Sequence, residues 1–138
     1  MLRVTADTNV IISGLNFENG KPHQFLQLAR AGKINMTISG HILAEVEDIL
    51  ARQFHWPPDD IAEAIVGLKA MARTVRPNVQ LDVIKEDPDD DRILECAVSA
   101  GSDYIVTGDN DLLRLRSYDA IRILNVADFL ELQRGYDR

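Results

Sequence analysis

Short strand-like segments alternate along this chain with longer stretches of helical periodicity, and this order restricts the fold more than any other feature of the sequence. Strands are predicted over residues 2–6, 34–38, 104–107 and 121–125, and more weakly over 79–84. Helices are predicted over 10–17, 22–31, 41–54, 59–75, 90–100 and 126–134. Alternating strands and helices indicate a three-layer, Rossmann-like α/β fold, with a central, mostly parallel sheet of four to five strands between helices. We expect one domain over residues 1–138.

Composition is consistent with a globular protein of this class. The chain has 138 residues, 46% of them hydrophobic, which is enough to bury a core without disulfides or a structural metal. Its net charge of −7 argues by itself against nucleic acid as a partner. Nine of the 22 acidic residues, however, lie within residues 86–111, where Arg92 is the one base. The acidity is therefore concentrated in one stretch.

The sequence also indicates a cytoplasmic protein that does not associate with membranes. The longest apolar run near the N-terminus, 10–12, is far too short for a signal peptide or a membrane helix. Cys96 is the one cysteine, which suits a reducing compartment. The three histidines lack ligand spacing, so a zinc site is not expected.

Acidic residues follow several of the predicted strands. Asp7 ends the first strand, Glu45 lies about one turn into the helix after the second, and Asp109 and Asp111 follow the third clear strand. The acidic turn at 86–91 leads into a helix at the same edge. Ligands of parallel sheets bind beyond the carboxyl ends of the strands. Each acid alone is equally typical of a turn, a helix cap or a solvated surface; together they predict a carboxylate cluster.

Helical periodicity favours one acid of the pair Asp90 and Asp91, but it does not separate Glu45 from Glu47. If a helix begins near residue 90, Asp90 lies within its apolar arc and Asp91 falls just outside it. Asp90 is therefore favoured as the acid that points toward the sheet, although a helix N-cap is the competing interpretation. Glu45 and Glu47 flank opposite edges of an apolar stripe, so periodicity leaves that choice open.

A carboxylate cluster of this kind predicts a divalent cation. Like charges in one pocket repel one another unless a proton or a cation relieves them. Oxygen ligands without paired His or Cys suit Mg²⁺ or Mn²⁺, as one or two ions. Such ions lower the pKa of bound water and polarise phosphoryl oxygens, so a phosphodiester is the expected substrate.

Four segments of the chain resemble the PIN-domain (PilT N-terminus) family, in the subset described as toxins of toxin–antitoxin systems. They are residues 4–10 (VTADTNV), Ser39 with 42–45 (ILAE), 87–94 (DPDDDRIL) and 104–113 (YIVTGDNDLL). The segments occur in order, within a resemblance that runs from about residue 2 to residue 130. The ordered set carries the resemblance, since an early Asp-Thr-Asn alone is common.

The resemblance implies a metal-dependent ribonuclease and assigns its site residues. The four catalytic and metal-binding acids would be Asp7, Glu45, Asp90 and Asp109, with Asp111 as an accessory metal ligand. Supporting polar positions, which orient the acids or hold water, would be Thr8, Asn9, Ser39 and Thr107, with Asp91 as the competitor of Asp90. The family also implies an antitoxin partner, a homodimer, and products with 5′-phosphate and 3′-hydroxyl ends.

The leading hypothesis is an endoribonuclease of single-stranded RNA that acts as the toxin of such a pair. A cleft can accept an unstacked strand more readily than a duplex, and Arg52, Arg114 and Arg116 are candidate contacts to the RNA backbone. A housekeeping PIN nuclease of RNA processing is the alternative. An Asp-dependent phosphotransfer enzyme is disfavoured because Asn9 and Leu113 stand where its further acids belong. A non-catalytic interaction module, using the helix over 59–75, is the third hypothesis.

Overall fold

A computed structural model describes residues 1–136 and contains thirteen helices and strands in that part of the chain. The strands are β1 (Arg3–Ala6), β2 (Asn35–Ser39), β3 (Ala72–Val75), β4 (Tyr104–Val106), β5 (Ser117–Tyr118) and β6 (Ile121–Leu124). The helices are α1 (Thr8–Asn16), α2 (Lys21–Arg30), α3 (Gly40–Arg52), α4 (Pro58–Met71), α5 (Pro88–Ala100), α6 (Asn110–Leu115) and α7 (Val126–Tyr136). The predicted α/β fold with a mostly parallel central sheet is confirmed.

The sheet has the strand order β3-β2-β1-β4-β6-β5. Its first five strands run parallel, and β5 pairs antiparallel with β6. The chain moves outward from β1 in one direction through β2 and β3, and then crosses to build β4 and β6 on the other side. The carboxyl ends of β1 and β4 therefore flank the point where the strand order reverses, which is where such sheets form a ligand crevice.

Helices cover the sheet and complete one hydrophobic core. Helix α5 packs against β1, β2, β3 and β4, while α1 packs against α2 and α3, and α2 against α7. An aromatic cluster joins α2, α7 and β4: the Phe129 ring centroid lies 5.5 Å from that of Phe25 and 5.9 Å from that of Tyr104. All of these elements place their apolar side chains in the interior, which holds the strand ends in fixed positions.

One predicted helix boundary is wrong and one short strand was not predicted, so the sheet has six strands rather than four to five. The helix predicted over 59–75 ends at Met71, and residues 72–75 form the edge strand β3 beside β2. The pairing with β2 satisfies its backbone, and Ala72 and Val75 still contact the core. The second addition, β5, is a two-residue strand in a hairpin whose turn contains Asp119 at a φ of 52°.

The weak strand predicted over 79–84 is also wrong, because this segment pairs with side chains instead of a neighbouring strand. Leu81 N–H donates to Glu95 Oε2 at 2.8 Å. Val83 and Ile84 N–H both donate to Asp91 Oδ1 at 3.0 Å. Two acids of α5 therefore take the place of a strand and hold the segment against the helix.

Helix ends follow the expected capping rules. Ser39 Oγ accepts from Ile42 N–H at 3.2 Å, so the predicted N-cap of α3 is confirmed. Helix α5 starts at Pro88, two residues before the predicted start, with Asp87 as its N-cap. Gly101, at a φ of 66°, ends that helix as predicted. Within residues 1–136, none of the helices combines the length and the apolar character that a membrane crossing requires.

Candidate functional site

An acidic cleft of about 320 Å³ opens beside the carboxyl ends of β1 and β4. Six acids line it: Asp7, Glu45, Asp87, Asp89, Asp90 and Asp109. The other lining residues are Thr8, Asn9, Ile12, Ser13, Ile49, Gln53 and Phe54, so no Lys or Arg is among them. The sequence predicted this convergence at one rim, and the four acids assigned through the family resemblance all line the same cleft.

Asp7 stands where β1 ends and α1 begins, and it is 6% exposed. Thr107 Oγ1 donates to Asp7 Oδ2 at 2.6 Å. Burial raises the pKa of Asp7 to about 6, and repulsion from Asp109 and Glu45 adds to the rise, against the hydrogen bonds from Thr107 and the Thr8 backbone. The carboxylate is therefore fixed in orientation but poorly stabilised in its charged form.

Thr107 connects the acids that follow the two central strands. Its hydroxyl donates to Asp7 and also accepts from Asp109 N–H at 2.9 Å. Asp109 is the N-cap of α6, and its Oδ1 accepts from Asp111 N–H at 2.8 Å. Thr107 is fully buried, so this link is shielded from water. The two carboxylates are held in one relative arrangement.

Asp90 lies in the first turn of α5 and is 5% exposed. Its Oδ2 is buried and has no hydrogen-bond partner among the described residues. Burial raises the pKa of Asp90 to about 7, and the neighbouring carboxylates of Asp109, Asp87, Asp7 and Asp111 raise it further. A buried carboxylate without a partner, surrounded by like charges, is stable only if a proton or a cation neutralises it.

Three carboxylates approach one another most closely. Asp87, Asp90 and Asp109 each offer an oxygen atom, and these three atoms lie within 4.8 Å of one another. Movements of about 1 Å per side chain would bring three oxygens at this spacing to the distance of about 2.1 Å at which Mg²⁺ binds oxygen. The residues present therefore fit a divalent cation. Asp87 is the member of this set that the sequence did not single out, because it was one of several acids in a turn.

Glu45 faces the cleft from α3. Its Oε1 accepts from Thr8 Oγ1 at 2.9 Å and lies 3.3 Å from His41 Nε2. Glu47, which helical periodicity could not separate from Glu45, is exposed. The hydrogen bond from Thr8 connects α1 to α3. The Glu45 carboxylate is therefore oriented by the residue that directly follows Asp7.

The remaining predicted supporting residues divide into two groups. Asn9 stays at the cleft, where its Oδ1 accepts from Gly108 N–H at 3.2 Å. Asp91 and Ser39 lie outside its lining. Asp91 is buried beside residues 83 and 84, as described above, and the Ser39 hydroxyl caps α3 and contacts the thiol of Cys96.

The predicted basic contacts also lie outside the cleft lining. Arg52 pairs with Asp48 at 2.8 Å, and Arg114 pairs with Asp111 at 3.1 Å, both on exposed helix surfaces. Arg116 is exposed at the end of α6. The aromatic side chain that does reach the cleft is Phe54, which is 38% exposed and follows the end of α3. No sequence pattern indicated that Phe54 reaches the cleft, because it continues the apolar stripe of that helix.

The fold and the cleft define an α/β protein with a carboxylate site of the kind that binds divalent cations. A PIN-domain family model matches residues 3–111, which include every acid of the cleft, and the chain belongs to the PIN-domain family. Over 119 residues it is 30% identical to an uncharacterised protein of Methanocaldococcus jannaschii, an alignment that covers 83% of this chain and 76% of that protein.

A solved structure shares the fold. It is a chain in the crystal structure of VapBC2 from Rickettsia felis bound to a DNA fragment from their promoter, with a TM-score of 0.65. The match covers 90% of this chain and 98% of that one, at 13% sequence identity. At this identity the likeness establishes a common architecture.

Proposed function

We propose that this PIN-domain protein is an endoribonuclease that depends on Mg²⁺ or Mn²⁺. The observation that carries the proposal is the buried Oδ2 of Asp90, which has no hydrogen-bond partner among the described residues and lies among the other acids of the cleft. Asp7, Glu45, Asp90 and Asp109 would hold one or two ions directly or through water, with Asp111 as an accessory ligand. A bound ion would supply a Lewis acid for a phosphoryl oxygen and lower the pKa of a water molecule.

The protein's own side chains would orient these acids. Thr107 fixes Asp7 relative to Asp109, and Thr8 fixes Glu45 relative to α1. Positions held by hydrogen bonds require little rearrangement when an ion and a phosphodiester enter. Asn9, whose side chain joins α1 to the loop after β4, keeps the mouth of the cleft in shape.

Single-stranded RNA is the substrate that suits the cleft best. Phe54, Ile49 and Gln53 add an apolar and amide surface to the cleft that the carboxylates line, and exposed aromatic rings stack on unpaired bases. Arg52, which directly precedes the lining residue Gln53, remains a candidate contact to the RNA backbone. Arg114 and Arg116 would contact RNA that extends past α6.

The biological role that we propose is the toxin of a toxin–antitoxin pair, acting in the cytoplasm as a homodimer of single PIN domains. The shared architecture with a chain of VapBC2 supports an antitoxin-like protein as the partner. A housekeeping nuclease of RNA processing would use the same site. The two roles differ in the partner and the RNA target, and expression of the chain with and without its gene neighbours separates them.

The nuclease proposal is tested with purified protein and RNA. Unstructured and duplex RNA are incubated with Mn²⁺, with and without EDTA. Asp7→Asn is the test variant, and Asp59→Asn, which changes an exposed acid in the first turn of α4, is its matched control. Metal-dependent cleavage of the unstructured RNA by the wild type and the control, leaving 5′-phosphate ends, is the expected result. Cleavage that persists in EDTA or in Asp7→Asn would refute the mechanism.

A further inference from the structure

Asp87 has a structural role that leaves half of its carboxylate free. As the N-cap of α5, it accepts the Asp89 N–H at Oδ1, at 3.1 Å. A carboxylate has two oxygen atoms and about four acceptor positions, so the cap leaves Oδ2 for another partner. Asp109 uses its Oδ1 in the same way to cap α6. Two helix N-caps thus present a spare carboxylate oxygen to one cleft.

These caps lie beside a buried carboxylate that lacks a partner. One oxygen from each of Asp87, Asp90 and Asp109 falls within 4.8 Å of the others, and Asp7 is outside this set. Asp90 is 95% buried, and its Oδ2 has no hydrogen-bond partner among the described residues. A buried oxygen in that state requires neutralisation, and the three oxygens together form a hard ligand set.

We propose that Asp87 is a metal-ligating residue of the cleft, which binds a divalent cation together with Asp90 and Asp109. The inference rests on the proposed metal-dependent function and adds Asp87 to the ligands proposed above, which are Asp7, Glu45, Asp90, Asp109 and the accessory Asp111. It assigns one ion to the start of α5 and α6. Asp7 and Glu45, oriented by Thr107 and Thr8, keep the ligand roles in the same cleft that are proposed above.

The chain offers a matched pair of variants for the test. Asp87→Ser keeps an N-cap side chain for α5 but is too short to reach an ion held by Asp90 and Asp109. Asp89→Ser also removes one negative charge from the cleft lining. Asp89 is exposed, however, and it is not one of the three acids whose oxygens approach one another. Both variants lose the same net charge. A difference between their Mn²⁺ affinities therefore shows that Asp87 binds the ion directly.

Binding of Mn²⁺ is measured by titration calorimetry and by the electron paramagnetic resonance signal of free Mn²⁺, without RNA. We expect Asp87→Ser to weaken Mn²⁺ binding by at least about 10- to 100-fold, because this is the loss that follows even when a residue supporting a ligand is removed. Asp89→Ser should weaken it by less than about threefold, because exposed charges are screened. Thermal unfolding of the metal-free variants shows whether α5 is intact. If Asp87→Ser unfolds, Asp87→Asn, which retains the cap oxygen without the charge, replaces it.

The outcomes separate this inference from the proposed function. Tight Mn²⁺ binding by the wild type that is equally weakened in both variants, or unchanged in Asp87→Ser, would overturn the role of Asp87 and leave the metal-dependent nuclease standing. Failure of the wild type to bind Mn²⁺ would overturn both. Selective weakening in Asp87→Ser, with Asp89→Ser close to the wild type, supports the inference.

Discussion

The two sides of α5 carry buried acids in opposite situations. On one side, Asp91 accepts two backbone N–H groups, and Glu95 accepts from Leu81 N–H and from Arg92 at 2.8 Å. On the other side, Asp90 faces the cleft with an oxygen that has no hydrogen-bond partner among the described residues. All three residues are at most 5% exposed. Burial alone therefore does not distinguish a structural acid from a candidate ligand, whereas its partners do.

The difference has a physical basis in the partners that the chain supplies. Residues 79–84 run beside α5 without a neighbouring strand, so their N–H groups require acceptors, and Asp91 and Glu95 provide them. No basic side chain lines the cleft on the other side. The partner of Asp90 must therefore come from solution, as a proton or a cation.

The largest expected effect is on catalysis by Asp90→Asn. If Asp90 holds the metal, this change should lower the rate of RNA cleavage at saturating Mn²⁺ by about 1,000-fold or more, since metal stabilisation supplies several kcal/mol to the transition state. Initial rates on unstructured RNA measure it, with Asp89→Asn as the control. A folded Asp91→Asn variant that lost activity, together with an active Asp90→Asn variant, would contradict the assignment of Asp90 to the cleft and of Asp91 to a structural role.

The next effect is on stability, through Asp91→Ala. Removing this carboxylate leaves the N–H groups of Val83 and Ile84 without acceptors, of which Ile84 is buried. The free energy of unfolding should fall by about 2–4 kcal/mol. Urea unfolding of the metal-free protein measures the loss. Asp82→Ala, in the same segment but highly exposed, should change it by less than about 0.5 kcal/mol.

A smaller effect, of opposite sign, is expected for the stability of metal-free Asp90→Asn. The pKa of Asp90 is raised to about 7 in the folded protein, so the folded state retains a proton that the unfolded chain releases at lower pH. The stability contributed by this group is fully present below pH 3.8 and is lost as the pH rises through about 7. At pH 8, the variant should therefore be more stable than the wild type, by about 1–2 kcal/mol.

Thermal unfolding at pH 5 and pH 8, with EDTA, measures this effect. The advantage of Asp90→Asn should be small at pH 5, and at pH 8 saturating Mn²⁺ should stabilise the wild type more than the variant. An advantage that is equal at both pH values would show that Asp90 is not destabilised by its charge in the folded protein.

The smallest effect is expected for Glu95→Gln. The amide oxygen can still accept from Leu81 N–H, while the ion pair with Arg92, whose side chain is 37% exposed, is lost. The expected loss is about 0.5–1 kcal/mol in the free energy of unfolding, because half-exposed ion pairs are weak. Urea unfolding at low and high salt measures it, and the difference from the wild type should shrink at high salt. A loss as large as that of Asp91→Ala would mean that the ion pair holds the segment.

Much of this architecture could be predicted because strands and helices have different hydrophobic periods. The alternation of strands and helices predicts the parallel sheet. Because Asp7 and Asp109 follow strands and Asp90 begins a helix, all three are expected at the edge formed by the carboxyl ends of the strands. The strand β3 was missed because Ala72 and Val75 remain in phase with the helix before them. The segment over 79–84 alternates like a strand, but its partners are side chains of α5, which no local pattern reveals.

Within the site, the sequence could separate Asp90 from Asp91 by helical phase but could not find Asp87. An N-cap aspartate and a metal ligand look the same in a sequence, since both precede a helix. The short distances to Asp90 and Asp109, which make the N-cap Asp87 a candidate ligand as well, are visible only in the structure. The same holds for Phe54, whose position after α3 gave no indication that it reaches the cleft.

The placement of β1 at the centre of the sheet also determines when the cleft can form during synthesis. Asp7 is translated 100 residues before its orienting hydroxyl, Thr107, and also well before the acids of α5 and α6. Translation at about 5–20 residues per second separates these events by several seconds. A nascent chain on the ribosome therefore carries no complete cleft until β4 and α6 have left the exit tunnel.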